Sequence, residues 1–153
     1  MVVDPRQPRD IPPLWLLLAL GAMTALHLLA PLGVVVAPPW HRLGFLVLAV
    51  AFGLLAASAA AFRRAGTGIR PFTPATNLVA GGPFAFTRNP MYLGLVGLTV
   101  GTAICLGTGS PFAVPPLFFL VLDRRFVRRE EAFLRQRFGS AYDDYCKAVR
   151  RWF

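Results

Sequence analysis

Long apolar stretches constrain this chain more than any other feature of its sequence. The first covers residues 14–30, and the composition agrees with it, since 56% of all residues are hydrophobic and only 15% are charged. A soluble domain keeps a larger charged share. A helix needs ~20 apolar residues to cross a ~30 Å hydrocarbon core. The pattern therefore predicts an integral membrane protein.

Four segments are apolar enough to be membrane helices, so we expect an all-α polytopic membrane protein with about four transmembrane helices. The first is broken after its end by Pro38 and Pro39, because proline lacks the amide donor of a continuing helix. A turn-forming stretch at residues 107–111 separates the last two, which are expected to form a helical hairpin. The predicted spans are residues 14–36, 43–62, 91–106 and 111–124.

Polar segments connect and follow these spans. The loop after the second span is rich in glycine, proline and threonine, and its apolar residues, Phe72 and Phe84 among them, argue for an ordered loop. After the fourth span we expect a C-terminal amphipathic helix that ends at Gly139. The chain is interpreted as one membrane domain, residues 1–153, with a cytoplasmic loop at 63–90, an amphipathic helix from residue 126 to about 137, and a C-terminal cytoplasmic segment at 125–153.

The basic residues predict the orientation. All of the 16 Lys and Arg residues except Arg42 lie in the amino-terminal segment, the loop and the C-terminal segment, which share one side of a four-span protein. By the positive-inside rule that side is the cytoplasm, so we expect both termini there, in the cytoplasmic membrane of a prokaryote. The net charge of +9 does not indicate nucleic acid, because basic residues beside membrane spans contact anionic lipid.

Cysteine and histidine are too few for a metal or redox centre. The predicted topology places Cys105 and Cys146 on opposite faces of the bilayer, so no disulfide is expected between them. His27 lies inside the first span, where a hydrogen bond to a neighbouring helix is the simpler role, and His41 lies in a loop. Neither histidine has a partner for a metal site or a nucleophilic dyad, so no metal ligand and no catalytic residue is assigned.

A polar motif runs directly into the third span. Residues 82–94 read Gly-Pro-Phe-Ala-Phe-Thr-Arg-Asn-Pro-Met-Tyr-Leu-Gly. Pro90 suits a first helical turn, and Asn89 just before it is a good N-cap residue. The simple interpretation is a helix start with Arg88 at the membrane interface, and it stays open beside a functional one.

The second candidate is the glutamate pair of the C-terminal helix. At 3.6 residues per turn Glu130 falls near the middle of an apolar stripe, where a carboxylate is costly unless an arginine or a bound cation accompanies it. Glu131 falls at the edge of the stripe, four residues before Arg135, with which an ordinary surface pair is expected. The stripe consists of Phe126, Val127, Phe133, Leu134 and Phe138.

Four motifs, in their order and spacing, resemble the isoprenylcysteine carboxyl methyltransferase and phospholipid methyltransferase group. The resemblance covers about residues 63–153, whereas the first two spans resemble the group only as generic membrane helices. The motifs are Gly-Pro-Phe at 82–84, Arg-Asn-Pro-Met-Tyr-Leu-Gly at 88–94, Glu-Glu at 130–131, and Phe-Gly-Ser-Ala-Tyr at 138–142 with Tyr145.

The resemblance implies S-adenosylmethionine as the cofactor, enclosed between the hairpin and the C-terminal segment. It implies methyl transfer to a lipid or another hydrophobic small molecule at the bilayer, at a carboxylate or an amine. The group usually has histidine where this chain has Asn89, and asparagine cannot carry a positive charge, so only a positional role carries over. Glu130 is implied as the acidic contact. The implied cofactor-binding residues are Arg88, Asn89, Pro90, Tyr92, Leu93, Glu130 and Glu131.

Two other functions compete with methyl transfer. One is a membrane reductase of the sterol reductase type that uses NADPH, but such sequences tend to place an acid after the motif glycine, and here Leu95 follows Gly94. The other is a non-catalytic assembly protein that has lost the chemistry. Asn89 keeps that interpretation open, while Tyr92 and the two glutamates speak against it.

Overall fold

The computed structural model describes residues 11–66 and 77–152, and 77% of them are helical. Within these two ranges there is no strand, only an isolated bridge between Val34 and Thr108, so the predicted all-α class is confirmed for the described chain. The helices are α1 (Pro12–Leu29), α2 (Leu43–Arg64), α3 (Pro90–Leu106), α4 (Val114–Leu122), α5 (Arg128–Phe138) and α6 (Ser140–Ala148), with short 3-10 turns at Trp40–Arg42, Gly82–Ala85 and Ser110–Ala113.

The first helix ends well before residue 36, so its predicted extent is wrong. Pro31 lacks the amide hydrogen that a continuing helix needs, and a residue before proline is driven out of the helical region. Ala30 accordingly has φ −145° and ψ 57°. The chain beyond it lies against the turn after α3, where the amides of Val35 and Val36 donate to the Gly107 carbonyl at 2.8 and 3.0 Å.

The second and third helices coincide closely with the predicted spans and pack tightly through small residues. A Cβ added at Gly101 would lie 3.0 Å from the Gly44 carbonyl oxygen, and a Cβ at Gly44 would lie 2.6 Å from that of Gly101. Further along, a Cβ at Gly97 would meet that of Ala51 at 3.0 Å. Close approach through small residues is how helices associate where lipid surrounds them. The glycines therefore set the distance between α2 and α3.

The helices alternate in direction, which brings four helix ends together. Trp15 near the start of α1 lies under the guanidinium of Arg125, 5.3 Å from the ring centroid, just beyond the end of α4. Phe62 at the end of α2 contacts Phe84, shortly before α3, with ring centroids 5.1 Å apart. We call this the motif end of the bundle, because residues 87–89 lie there.

Two helices are long and apolar enough to cross a membrane by length and composition. They are α1, with 18 residues, and the 25 residues of Trp40–Arg64. Only 17% of each is buried inside the protein, so apolar side chains such as Leu17 (66% exposed) and Phe45 (64% exposed) face outward. The apolar α3 has 17 residues and α4 has nine. The outward apolar faces suit a membrane protein, while the count of four spans stays a prediction.

α4 and α5 form one continuous helix, residues 114–138, which we call the rod. α4 passes through a π-helical turn, Asp123–Val127, directly into α5, so the predicted fourth span and amphipathic helix are parts of a single helix. The rod ends at Gly139, as predicted, with φ 54°, a value that glycine adopts at little cost. After α6 the chain becomes extended at Val149 and returns toward the start of α3.

The buried core lies directly beneath the motif end. Leu122, Phe126 and Val127 from the rod are fully buried, and they pack with Tyr92 from α3 and Ala19 from α1. Close packing among these side chains holds the rod against α3, because van der Waals contact stabilises helix pairs that lipid surrounds. The candidate site adjoins this core, since its residues lie just before and at Tyr92 on α3 and just after Val127 on the rod.

The polar loop before α3 is only partly described. Residues 67–76, with Phe72, lie outside the described residues. Phe84 is buried and Leu78 and Val79 are half-buried, in agreement with the predicted order, whereas Phe86 is 83% exposed.

Candidate functional site

The start of α3 holds the first half of the site. Pro90 occupies the first turn and is fully buried, as its fixed φ allows. Asn89 lies at the N-cap position, but its side chain makes no capping bond, so that expectation is wrong. Its amide nitrogen Nδ2 donates instead to the Arg151 carbonyl at 3.2 Å and to Glu131 Oε1 at 3.5 Å. The buried asparagine is therefore turned toward the C-terminal segment.

The second half lies on α5, and it meets α3 through one hydrogen bond. The Tyr92 hydroxyl donates to Glu130 Oε2 at 2.8 Å. Tyr92 follows Pro90 on the face of α3 that packs on the core, and Glu130 follows buried Val127 on the rod. The structure thus joins two residues that are 38 positions apart in the sequence and that the resemblance assigns to one site.

The electrostatics of Glu130 distinguish between the two partners that the sequence leaves open. Burial raises the pKa of Glu130, the hydrogen bond from Tyr92 lowers it, and the nearby carboxylate of Glu131 raises it, with a raised pKa as the net result. A paired arginine would lower the pKa of a carboxyl group. Within residues 11–66 and 77–152 the side-chain partner of Glu130 is Tyr92 and not an arginine, so the geometry leaves a carboxylate that a cationic ligand group could pair with.

Glu131 is placed differently from the sequence prediction. It is buried, with 5% of its surface exposed, and Arg151 binds both of its oxygens, with Nε at 3.1 and 3.0 Å and Nη2 at 2.6 Å. Arg88 Nη1 lies 3.5 Å from Oε1. The predicted surface pair with Arg135 is wrong, because Arg135 pairs with Asp143 at 2.8 Å. The returning C-terminal segment covers the face of α5 that the helical wheel treats as an edge.

Arg88 is half-buried between these groups, and one of its donors has no partner in the described part of the chain. Its Nη1 donates to Cys146 Sγ at 2.6 Å, and its backbone amide donates to the Arg150 carbonyl at 3.0 Å. Its Nε is buried and has no hydrogen-bond partner within residues 11–66 and 77–152. A buried donor without an acceptor costs ~1–3 kcal/mol. The site therefore contains a guanidinium donor that suits an anionic ligand group.

The tyrosines of the fourth motif lie in α6, next to the candidate site. Tyr142 is fully buried in α6, with its ring centroid 6.1 Å from that of Tyr145. The Tyr145 hydroxyl donates to the Phe84 carbonyl at 2.7 Å, and burial raises the pKa of Tyr145 to about 12. The Tyr145 phenol therefore stays neutral and binds α6 to the loop before α3.

The other residues considered in the sequence lie elsewhere. Leu93 is half-buried on the second turn of α3, and its amide donates to the Asn89 carbonyl at 3.1 Å. His27 Nδ1 lies 2.8 Å from Thr108 Oγ1 at the opposite end of the bundle, where it lines, with His41, a cavity of about 360 Å³. The two cysteines are free in the structure, and the absence of a disulfide between them stays a prediction.

Two site residues were missed by the sequence reasoning. Arg151 contributes both its guanidinium and its carbonyl oxygen, and Thr87 Oγ1 donates to that carbonyl at 3.0 Å. A backbone carbonyl acceptor cannot be identified from a sequence, because every residue has one. The run of Arg150, Arg151 and Trp152 does carry a signal, but its basic and aromatic character is equally typical of a membrane interface.

The apolar helices and the polar cluster at one end define a helical membrane protein with a candidate small-molecule site. Residues 39–141 match the model of the phospholipid methyltransferase family, more than half of the 153 residues. The chain therefore belongs to the phospholipid methyltransferase family, as the motifs predict. The match begins before α2, further upstream than the resemblance seen in the motifs, and ends at residue 141, near the start of α6.

Two relatives are similar over parts of the chain. A protein-S-isoprenylcysteine O-methyltransferase of Schizosaccharomyces pombe is 40% identical over 75 residues, which are 47% of this chain but only 30% of that protein. An uncharacterized protein of Haemophilus influenzae is 34% identical over 62 residues, which are 40% of this chain and 98% of that protein. No solved structure matches.

Proposed function

We propose that this chain is an S-adenosylmethionine-dependent membrane methyltransferase that methylates a lipid or another amphiphilic acceptor at a carboxylate or amine group. The observation that carries the proposal is the 2.8 Å hydrogen bond between Tyr92 and Glu130, which joins the α3 motif to the rod at the edge of the core. Membership of the phospholipid methyltransferase family supports the reaction class.

The polar groups of the site fit the amino-acid part of this cofactor, which carries an ammonium and a carboxylate. Glu130, whose pKa is raised by burial, would hold the ammonium, and the unpartnered Nε of Arg88 would hold the carboxylate. Tyr92 would form an aromatic wall and orient Glu130. In this proposal Asn89, Pro90, Leu93 and Glu131 border the pocket or support the residues that line it.

Methyl transfer from a sulfonium requires mainly that the protein bind the two reactants and align them. When bound, S-adenosylmethionine supplies a methyl group on a sulfonium, and its transfer leaves a neutral thioether. Positioning of the reactants can account for several kcal/mol of such a barrier. Glu130 and Arg88 would fix one end of the pocket, and the surrounding apolar side chains would exclude water. A carboxylate acceptor needs no base, whereas an amine would have to arrive deprotonated.

The membrane setting follows from the same arrangement. We propose one domain, residues 1–153, with four spans and the motif end on the cytoplasmic side of a prokaryotic membrane. The outward apolar faces of α1 and α2 would contact lipid, and the acceptor would enter from the bilayer. The distribution of basic residues along the sequence supports this orientation, because all of the 16 except Arg42 fall in segments that would share that side of a four-span protein.

Calorimetry on the purified protein in detergent tests the proposal. We expect S-adenosylhomocysteine to bind and NADPH not to bind. Transfer of a labelled methyl group from S-adenosylmethionine to amphiphilic carboxylates and amines would then identify the acceptor class. Binding of NADPH alone would establish the reductase, and binding of neither ligand by folded protein would leave the non-catalytic assembly protein.

A further inference from the structure

The chain beyond α6 returns to the site and touches three separate elements. We call residues 149–152 the C-terminal strap. The Arg151 carbonyl accepts hydrogen bonds from Thr87 Oγ1 and Asn89 Nδ2, both just before α3. The guanidinium of Arg151 binds Glu131 of α5. Trp152 lies against Phe119 of α4, with ring centroids 4.8 Å apart.

The contacts of the strap leave Glu130, but not Glu131, available to a ligand. Glu131 is occupied by a bidentate bond from Arg151, and its neighbour Glu130 is left with the neutral Tyr92 hydroxyl. Arg88 reaches Glu131 only at 3.5 Å, so it is a secondary partner. Arg151 therefore takes the counter-charge role that Arg88 would otherwise have to fill.

We infer that Arg151 is a positioning residue that keeps Arg88 and Glu130 available for the two charged groups of an amino-acid ligand. The inference rests on the proposed function. Arg151 does so by neutralising Glu131 and by holding the chain before α3 through its carbonyl oxygen. The strap lies beyond residue 141, where the family match ends, and beyond Tyr145, the last residue of the four motifs.

Loss of the Arg151 guanidinium has a predictable consequence. Glu131 would then be a buried carboxylate whose nearest cation is Arg88, and an uncompensated buried charge is costly. Arg88 would shift toward Glu131 to compensate it and would turn its donors away from the ligand. The remaining negative charge of Glu131 would also disfavour the charged form of Glu130.

The two adjacent arginines of the strap provide a matched pair of variants. The Arg150 side chain is exposed, and Arg150→Gln keeps the backbone carbonyl that Arg88 uses. Arg151→Gln makes the same change of charge one residue later. We expect Arg151→Gln to weaken binding of S-adenosylhomocysteine about tenfold, and Arg150→Gln to bind like the parent.

A double variant and hydrogen exchange separate positioning from general stability. Glu131→Gln removes the charge that draws Arg88 away, so Glu131→Gln with Arg151→Gln should bind better than Arg151→Gln alone. Without ligand, the Leu93 amide, which donates to the Asn89 carbonyl in the first turn of α3, should exchange faster in Arg151→Gln than in Arg150→Gln.

The outcomes distinguish this inference from the proposed function. If the parent does not bind S-adenosylhomocysteine, the proposed function fails and the inference fails with it. If the parent binds and folded Arg151→Gln binds equally well, even with a lower melting temperature, Arg151 is merely structural and only the inference is overturned. A double variant no better than Arg151→Gln would also overturn the route through Glu131.

Discussion

Replacing Glu130 by glutamine tests the centre of the site. Glutamine keeps the size of the side chain and an oxygen that can accept the hydrogen bond from Tyr92, at 2.8 Å in the parent. It removes only the negative charge. A charge-assisted hydrogen bond contributes about 1.5–3 kcal/mol, and each ~1.4 kcal/mol is a factor of ten in affinity. We therefore expect S-adenosylhomocysteine to bind about ten- to a hundred-fold more weakly.

The raised pKa of Glu130 leads to two further predictions, one for ligand affinity and one for stability as the pH changes. Because the charged form holds the ligand, parent affinity should fall as the pH falls through the raised pKa, and Glu130→Gln should lack this dependence. Because burial disfavours the charged form, the stability linked to this group is present at low pH and is lost as pH rises through the folded-state pKa. At neutral pH, Glu130→Gln should thus melt at the same temperature as the parent or higher.

Calorimetry and thermal unfolding in detergent measure both quantities on the same preparations. Asp144→Asn is a matched control, because it also removes one carboxylate charge. Asp144 lies on the surface of α6, where it pairs with Lys147 and 71% of its side chain is exposed. This control should leave affinity unchanged. If folded Glu130→Gln binds like the parent, or if it melts at a much lower temperature, Glu130 is a structural acid and the proposed pocket is wrong.

Three further predictions concern the ion pair, the helix packing and the topology. Glu131→Gln should lower the unfolding free energy by about 2 kcal/mol, between the values for buried and exposed pairs because Arg151 is 38% exposed; a melting temperature equal to that of Asp144→Asn would contradict this. Gly101→Ala should destabilise by about 1–3 kcal/mol, whereas Gly53→Ala, with nothing within 4 Å, should not; equal melting temperatures would refute tight α2–α3 packing. A reporter fused to the carboxyl terminus should be active in the cytoplasm, and activity only outside would refute the four-span orientation.

The helices could be predicted because their causes are local. Apolar length located α2 and α3, and Gly139 ended α5, since each depends on neighbouring residues in the chain. The end of α1 has a local cause too, because Pro31 interrupts an apolar run that continues to residue 36. Hydrophobicity alone does not reveal where a helix stops, and the proline carries that information.

The candidate site could be predicted only in part, because its second half depends on tertiary structure. The helical wheel placed Glu130 on the apolar face, where the structure finds it beside Tyr92. The wheel assigned Glu131 to an edge because it treats α5 as having one packed face. The strap packs on a second face, and Arg151, 20 residues further along the chain, supplies the actual partner. Periodicity cannot reveal a partner that arrives from a returning segment.

The environment of Asn89 bears on the interpretation of the chain as a non-catalytic relative. That interpretation relies on asparagine replacing the group's usual histidine. Here the Asn89 side chain donates to the Arg151 carbonyl and to Glu131, and it is buried at the junction of the strap and α3. Both contacts need only an N–H donor and neither needs a titrating group, so asparagine meets them at any pH near neutrality. A position that joins two elements does not require imidazole chemistry, and the substitution therefore gives no reason to expect that methyl transfer has been lost.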